Sequence, residues 1–274
     1  MSERVRRAVG DRIRALVGSG TQDLSRSDDD PGLFGPESIA RVVHGDFTAM
    51  MVGGVASLLL QMLHPAALAG VWDHSDFRRD RHGRLRRTAQ FIAVTTFGAT
   101  ATAEAQIARV RRIHEGVTGM LADGTAYAAS DPALLRWVHV AETWCFLAAH
   151  RRYVAAAMPV REQDRYCAEV AIVAERLGAT AVPRTRATLD ASLRAYRPLL
   201  RHDARTADVA RALLAREASA LRPMQEVITA GAADLLPRWA AAMHGLDRPS
   251  LMSPAVRIGV GGLGRVLRWA LEPG

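Results

Sequence analysis

Lysine is absent from this 274-residue chain, and all 36 of its basic residues are arginines. Chemistry that needs a lysine amine, such as a Schiff base with a substrate or with pyridoxal, is therefore excluded. The phosphate-binding loop that uses a lysine is excluded as well. The two cysteines, Cys145 and Cys167, are too few for a disulfide framework and lack the spacing of a zinc site. A reducing, cytoplasmic environment is the expectation that follows.

Aromatic residues make up only 5% of the chain, so the expected core is mainly aliphatic. The first 14 residues carry five arginines and no long apolar run follows them, which indicates that no signal peptide is present. Residues 1–20 alternate arginines with aliphatic residues, a pattern typical of a short amphipathic helix. This basic helix has two interpretations: it packs against the domain, or it lies on anionic lipid as a peripheral membrane contact.

The formal net charge of +8 suits a nucleic acid, an anionic cofactor, an acidic membrane surface or simple solubility. The densest arginine run, residues 78–87, lacks the interleaved aromatic side chains of a single-strand-binding surface. An arginine-rich helical regulator that binds nucleic acid through this run is kept as an alternative function. Apart from this alternative, no nucleic-acid partner is expected.

Residues 47–63 contain no charged side chain and reach only the lower limit of length for a membrane span. Gly53, Gly54 and Gln61 interrupt the run, and Pro65 should end or bend a helix. A buried central helix is therefore predicted. Helical periodicity recurs along the rest of the chain while strand-like alternation is absent, so the predicted fold class is all-α.

Capping residues mark several helix boundaries. Ser130, Asp131 and Pro132 predict the start of a helix that runs to Ala157, and Gly98 predicts the end of one that begins at Arg84. Further helices are predicted at Ala99–Leu121, Asp164–Leu177, Thr185–Tyr196, Ala204–Ala220 and Pro223–Ala242. The expected organisation is an N-terminal amphipathic helix and linker (1–36), a helical domain (37–245) and a C-terminal helical tail (246–274).

One histidine points inward from a predicted helix. A rotation of about 100° per residue places five side chains on one stripe and the neighbouring arginines elsewhere; the stripe is Ala103, Ile107, Val110, His114 and Val117. The His114 imidazole is either a core histidine bonded to a backbone carbonyl or a ligand of a buried metal. Gly116 and Gly119 would let something flat and bulky approach the backbone.

Other candidate site residues lie on predicted helices or flank them. Arg84 and Thr88, at i and i+4, present a cation and a hydroxyl on one face, or form part of a solvated basic surface. His139 shares a stripe with Thr143, Phe146 and His150, and Glu142 is adjacent. The two histidines that flank the charge-free segment are interpreted as pocket residues or as turn-stabilising side chains; they are His64 and His74.

Several common motifs are missing. The chain has no Glu-x-x-His pair of a ferritin-like bundle, no His-Glu-x-x-His zinc motif, no Gly-x-Gly-x-x-Gly and no Cys-x-x-Cys-His. Composition and spacing alone therefore indicate an α-helical domain with inward histidines and an arginine-rich rim.

A set of motifs in a fixed order nevertheless resembles a known family. The motifs are Gly53-Gly54, Leu59-Leu60-Gln61-Met62-Leu63-His64-Pro65, Gly70-Val71, His74-Ser75-Asp76-Phe77, Arg84-Leu85-x-x-Thr88, Arg109-Val110-x-x-Ile113-His114-x-x-Val117-x-Gly119, Tyr127-x-Ala129-x-Asp131-Pro132 and Trp137-Val138-His139. In this order, over roughly residues 40–240, they resemble the MpaB-type oxygenases, which include the latex-clearing proteins (rubber oxygenases).

The resemblance implies a single helical domain with a globin-like core around one b-type haem, whose iron is bound by His114 as proximal ligand. It places Arg84 and Thr88 on the distal side, where they can donate hydrogen bonds to dioxygen or to a propionate. Nearby arginines, including Arg87, suit the haem carboxylates. The remaining cofactor-binding candidates act as distal hydrogen-bond partners or as structural residues; they are His64, His74 and His139.

Two departures from the family pattern bear on the substrate. Rubber-cleaving members can place a lysine, as a distal iron ligand, where this chain has Arg87, and a guanidinium is a very poor ligand because it stays protonated. They also use a carboxylate from the helix preceding the motif, whereas no Asp or Glu lies between Asp46 and Asp73 here. Polyisoprene cleavage by that route is therefore not expected.

The function favoured by the resemblance is a haem b-dependent oxygenase, using dioxygen and iron, that acts on an apolar, unsaturated or aromatic small molecule. A non-catalytic haem-binding sensor or carrier is the second alternative, beside the nucleic-acid regulator.

Overall fold

A computed structural model describes residues 27, 29–75, 80–215, 222–247 and 253–271 of the chain. The amphipathic helix predicted for residues 1–20 lies outside these ranges. In chain order the elements are α1 Ile39–His44, α2 Phe47–Gln61, α3 Pro65–His74, α4 Arg81–Phe97, α5 Thr100–Glu115, β1 Thr118–Met120, β2 Ala126–Ala128, α6 Pro132–Tyr153, α7 Val160–Leu177, α8 Arg186–Tyr196, α9 Ala204–Leu214, α10 Arg222–Leu235, α11 Arg238–Met243 and α12 Ser253–Leu271. The all-α prediction is confirmed, with one small hairpin added.

The charge-free segment forms the buried central helix that its composition predicts. Its first turn is capped by Asp46, whose carboxylate accepts a 2.8 Å hydrogen bond from the Ala49 amide. Ten of the fifteen residues of α2 are buried, so the helix is covered on more than one face. It ends at Gln61, and α3 starts at Pro65, which suits the first turn of a helix.

The two helices meet at a bend of 104°. Within the described ranges no single helix has the length and apolarity to cross a bilayer, although the bent pair α2 and α3 together reach both thresholds.

Close packing around α2 builds the core. The most extensive contact of α2 is with α6, and α10 and α12 cover further sides. At Gly53 a Cβ atom would lie 2.8 Å from Cδ1 and 3.2 Å from Cα of Phe146. At Gly231 of α10 a Cβ atom would lie 2.8 Å from Val260 and 3.3 Å from Val52. Glycine is therefore needed at both positions for the helices to approach this closely.

The helices α4 and α5 pack against each other, and α5 also contacts α7. The predicted end of α4 is confirmed, because the Gly98 amide closes the last turn with a 3.0 Å bond to the Val94 carbonyl. The predicted start of α6 is confirmed too. The Asp131 carboxylate accepts bonds from the Ala133 and Leu134 amides at 2.8 and 2.9 Å.

The chain departs from the prediction after α5. Helix was predicted through Leu121, but α5 ends at Glu115, and β1 pairs with β2 in an antiparallel hairpin. The connecting turn places Gly124 at a φ of +83°, and the Asp123 carboxylate accepts a 2.9 Å bond from the Thr125 amide. Strands of three residues are too short for an alternating pattern to reveal them in the sequence.

Other helix ends also differ from the predicted ones. The helix α6 ends at Tyr153, whereas its predicted end was Ala157. The helix α9 ends at Leu214, whereas its predicted end was Ala220. The last predicted helix is divided into α10 and α11, because Pro237 lacks an amide hydrogen and restricts the residue before it.

Candidate functional site

A half-enclosed cavity of about 50 Å³ lies between α1, α4, α6 and α7. Aromatic and aliphatic side chains form part of its wall, and hydroxyl, imidazole and carboxylate groups form the rest. The residues that line it are Phe34, His44, Phe91, Ile92, Thr95, Thr96, His139, Glu142, Thr143, Phe146, Tyr166, Val170 and Val173. It is the place where the described part of the chain brings histidine, tyrosine and glutamate side chains to one cavity.

His44 links three helices at this cavity. Its Nδ1 atom lies 2.8 Å from the Thr96 hydroxyl of α4, and its Nε2 atom lies 2.9 Å from the Tyr166 hydroxyl of α7. Burial, together with the positive charge that His150 can carry, lowers the pKa of His44 to about 3. The neutral ring has one proton, so it donates one of the two bonds and accepts the other. Burial also raises the pKa of Tyr166 well above its usual value, so Tyr166 stays a phenol.

His139 also lines the cavity. It is 8% exposed, and burial lowers its pKa to about 4, so the ring is neutral at pH 7. The Thr143 hydroxyl, one turn further along α6, lies 3.4 Å from Nδ1 and 3.3 Å from Nε2. One hydroxyl that lies almost equally far from both ring nitrogens can bond well to only one of them.

Glu142 brings a carboxylate to the side of α2 from a different helix. Its Oε1 atom accepts a long hydrogen bond of 3.4 Å from Nε2 of Gln61, which also donates to the Ser57 hydroxyl at 2.7 Å. The Gln61 backbone carbonyl accepts a 3.2 Å bond from the Trp137 indole. The central helix α2 has no acidic side chain of its own. Glu142 of α6 therefore supplies the carboxylate at the C-terminal end of α2.

The inward stripe predicted for α5 is confirmed in part. Ala103 and Ile107 are buried and His114 is half-buried, whereas Arg109 and Arg112 are exposed. Val117, the last member of the stripe, lies beyond the end of the helix. The Nδ1 atom of His114 is buried.

Gly119 does not have the role predicted for it, which was to let something flat and bulky approach the backbone. A Cβ atom on Gly119, which lies in β1, would be 2.6 Å from the Tyr127 hydroxyl. The space beside Gly119 is therefore filled by a side chain of this protein.

The arginine-threonine pair lies on α4, the helix packed against α5. Thr88 is half-buried there, and the side chain of Arg84 lies outside the part that the structure describes. Arg87 is exposed, and its guanidinium lies 3.6 Å from the Asp80 carboxylate.

The two histidines that flank the charge-free segment have different surroundings. His64 lies 6.0 Å from Trp137 and 6.3 Å from Tyr196 between ring centroids, and its Nδ1 atom is buried without a hydrogen-bond partner among the described residues. Burial is the main cause of its lowered pKa. His74 is exposed, and its Nε2 atom lies 3.0 Å from the Thr118 carbonyl, so it ties α3 to the hairpin.

The structure does not collect all the predicted site residues at one place. The group predicted on α6 does line the cavity: His139, Glu142, Thr143 and Phe146 all belong to its wall. Of the other predicted site residues whose side chains are described, His64, His74, Arg87, Thr88 and His114 are not among the lining residues. The sequence analysis missed His44 and Tyr166 as site residues. They lie 122 positions apart, and neither occurs in a spacing that signals a shared site.

The described residues offer imidazole ligands that suit a haem iron better than a bare metal ion. The described residues contain no group of three or more His, Cys, Asp or Glu side chains that could hold a bare metal ion. A porphyrin brings four nitrogen ligands of its own, so a single imidazole is sufficient to hold its iron. His64 and His114 each have a buried Nδ1 atom. The cavity itself is many times smaller than a porphyrin, and His114 does not line it.

Comparison with known families agrees with the ordered motifs. Residues 41–269 match the family described as the catalytic domain of ER-bound oxygenase mpaB/B′ and rubber oxygenase. No curated protein and no solved structure matches the chain. Because the family match spans most of the chain, the protein belongs to the mpaB and rubber oxygenase family of catalytic domains and is an oxygenase.

Proposed function

We propose that this oxygenase depends on haem b, held in a globin-like helical core with His114 as the proximal iron ligand. The observation that carries the proposal is the position of His114 on the inner stripe of α5, with a buried ring nitrogen. A neutral imidazole in such surroundings is a good iron ligand. Bound haem supplies the redox chemistry that activates dioxygen, and the protein supplies binding and orientation.

The residues of α4 have two distinct roles in this proposal. The half-buried Thr88 and its neighbour Arg84 donate hydrogen bonds to dioxygen or to a haem propionate. Arg87 is exposed and faces Asp80, so it suits a propionate at the solvent edge rather than the iron.

The substrate is a small apolar molecule that is unsaturated or aromatic. The aliphatic core around α2 keeps water away from such a substrate, which favours reactions that water would intercept. Two further imidazoles serve the site. His64 has a buried nitrogen with no hydrogen-bond partner in the described part of the chain, and His139 is neutral and buried. His74 has a structural role, because its ring nitrogen is bonded to the hairpin.

The test is the visible spectrum of the purified protein together with oxygen uptake. Wild-type protein should show a Soret band, and His114→Ala should lose most of it. His202→Ala, which changes an exposed histidine outside the site, is the matched control and should keep the band. A colourless wild type that takes up no added haemin, or an unchanged band in His114→Ala, would overturn the proposal.

Oxygen uptake distinguishes an oxygenase from a haem-binding sensor or carrier. Wild-type protein should consume oxygen when supplied with at least one member of a panel of terpenoids, phenols and unsaturated lipids. Loss of that consumption in His114→Ala, but not in His202→Ala, would assign it to the haem site. Haem binding with no consumption across the panel would favour the sensor or carrier.

A further inference from the structure

The last helix, α12, has an outer side that is unusually apolar for a surface in water. Its inner side packs on the protein through Val260, Gly264, Leu267 and Ala270, which are buried. A rotation of about 100° per residue places six residues on the opposite side; they are Ala255, Ile258, Gly262, Arg265, Val266 and Trp269. Only one of these six is charged, whereas the outer side of a helix in a soluble protein is normally polar or charged.

This outer side is accessible. Ile258 is 72% exposed and Val266 is 45% exposed. A Cβ atom added at Gly259 or at Gly262 would meet no atom of the described residues within 4 Å. On the inner side, by contrast, a Cβ atom at Gly264 would lie 3.2 Å from a guanidinium nitrogen of the same helix. Large aliphatic side chains are therefore presented outward on an uncovered part of the helix.

All the charges of α12 are positive. The helix contains three arginines and no aspartate or glutamate. Arg257 is 3.1 Å from the carboxylate of Asp234, and Arg268 is 2.6 Å from that of Asp46, so both are paired with other elements of the fold. The third, Arg265, is exposed on the outer side and forms no ion pair with a described residue. The outer side therefore combines apolar side chains with a cation that can meet an anion outside the protein.

This combination suits an anionic lipid surface better than a second copy of the chain. In a twofold-symmetric dimer the same patch meets itself, so two Arg265 side chains would be buried in an interface where α12 supplies no carboxylate. A bilayer that contains anionic lipid supplies the negative groups. The long stem of an arginine lets its guanidinium reach them while neighbouring apolar side chains enter the membrane. Tryptophan is enriched at the same depth, and Trp269 is on this side of the helix.

We infer that α12 is a peripheral membrane-contact helix, which lies along the surface of an anionic bilayer. Ile258, Val266 and Trp269 enter the boundary between headgroups and acyl chains, and Arg265 pairs with the anionic headgroups. Helices that lie in this boundary bury their apolar side chains by roughly 5–10 Å and do not cross the membrane. The inference goes beyond the proposed function and does not depend on haem.

Sedimentation with lipid vesicles tests the inference on the purified full-length protein. One set of vesicles consists of phosphatidylcholine, and the other also contains about 30% phosphatidylserine. Wild-type protein should bind the anionic vesicles at least about fivefold more tightly than the neutral ones, and added salt should weaken this binding. Equal binding to both sets, or no binding to the anionic set, would overturn the inference.

Two variants at exposed positions locate the contact on α12. Ile258→Gln should weaken binding to anionic vesicles about tenfold, because it removes an apolar side chain from the membrane. Arg265→Gln should weaken it about fivefold, because it removes a cation. The matched controls are Val160→Gln and Arg161→Gln, at adjacent exposed positions on α7, and both should bind as wild type does. Wild-type affinity in both α12 variants would assign binding to another surface, such as residues 1–20, and would overturn the inference.

An environment-sensitive fluorescent label provides an independent measurement. Cys145 and Cys167 are buried, and burial raises the pKa of both thiols, so an added exposed cysteine is labelled selectively. Anionic vesicles should shift the emission of the label on Ile258→Cys to shorter wavelength and leave that on Val160→Cys unchanged. A label on Ile258→Cys that does not respond would contradict the inference. A wild-type dimer that Ile258→Gln dissociates in the absence of lipid would also contradict it, since a second copy would then cover α12.

The outcome is separable from that of the haem proposal. His114→Ala should bind anionic vesicles as wild type does after losing its Soret band. Vesicle binding through α12 by a protein that takes up no haem would refute the proposed function and leave this inference standing. A normal Soret band without vesicle binding would do the reverse.

Discussion

Acid should destabilise this protein through its buried neutral histidines, and His139 gives the sharpest test. Its pKa is about 4 in the folded protein and near 6.5 in an unfolded chain, because burial disfavours the charged ring. Between these two values the unfolded chain binds a proton that the folded protein does not. The free energy of unfolding therefore falls as the pH drops through this range.

The size of the effect follows from the same two values. At pH 5 the solution is roughly 1.5 pH units below the unfolded pKa, which corresponds to about 2 kcal/mol of lost stability from His139 alone. The variant His139→Phe has no imidazole to titrate at this position. From pH 7 to pH 5 it should lose about 2 kcal/mol less than wild type does.

Urea unfolding, followed by circular dichroism at pH 7, 6 and 5, measures this difference. The comparison uses the change with pH in each protein, so any pH-independent effect of the substitution cancels. His44 remains in both proteins, so its contribution cancels as well. His202→Gln, at an exposed position, controls for the loss of an imidazole. Parallel pH profiles for wild type and His139→Phe would refute the burial argument.

Two further predictions concern glycines. Gly53→Ala should be less stable than Gly54→Ala by about 1–3 kcal/mol in urea unfolding, since a Cβ atom lies 2.8 Å from Phe146 at the first position and 3.8 Å at the second; equal midpoints would contradict the close helix crossing. Gly119→Ala should displace the Tyr127 ring, whose hydroxyl lies 2.6 Å from the new Cβ. Hydrogen exchange of the hairpin amides should accelerate, and unchanged protection would contradict that contact.

Local signals in the sequence were sufficient to predict much of the helical framework. The charge-free run predicted the buried α2, and Asp131 followed by Pro132 predicted the start of α6. These signals act within a few residues, through capping and burial, so they can be read without tertiary contacts. The inward position of His114 followed from periodicity for the same reason.

The candidate cavity could not be predicted in this way. The bonds from His44 to Thr96 and Tyr166 join residues 52 and 122 positions apart, so they depend on how α1, α4 and α7 pack. The approach of Glu142 to Gln61, 81 positions away, depends on the crossing of α2 and α6. The resemblance to the oxygenase family pointed to His114 and Thr88, which are not among the residues that line this cavity.

The end of α5 shows the limit of periodicity most clearly. Its apolar stripe continues through Val117 in the sequence, yet the helix stops at Glu115 and the chain turns into β1. Two three-residue strands and a glycine turn outweigh the helical pattern, because the hairpin docks on α3 through Tyr127 and its 3.1 Å bond to Asp73. Such tertiary contacts decide element ends that local signals leave open.

The claim that His114 holds the haem iron is tested most directly by replacing its side chain with free imidazole. His114→Gly removes the ligand and leaves space, and the Soret band of the reconstituted variant should be shifted or weak. Added imidazole should restore the wild-type spectrum in a saturable manner. A wild-type spectrum in His114→Gly before any imidazole is added would contradict the account.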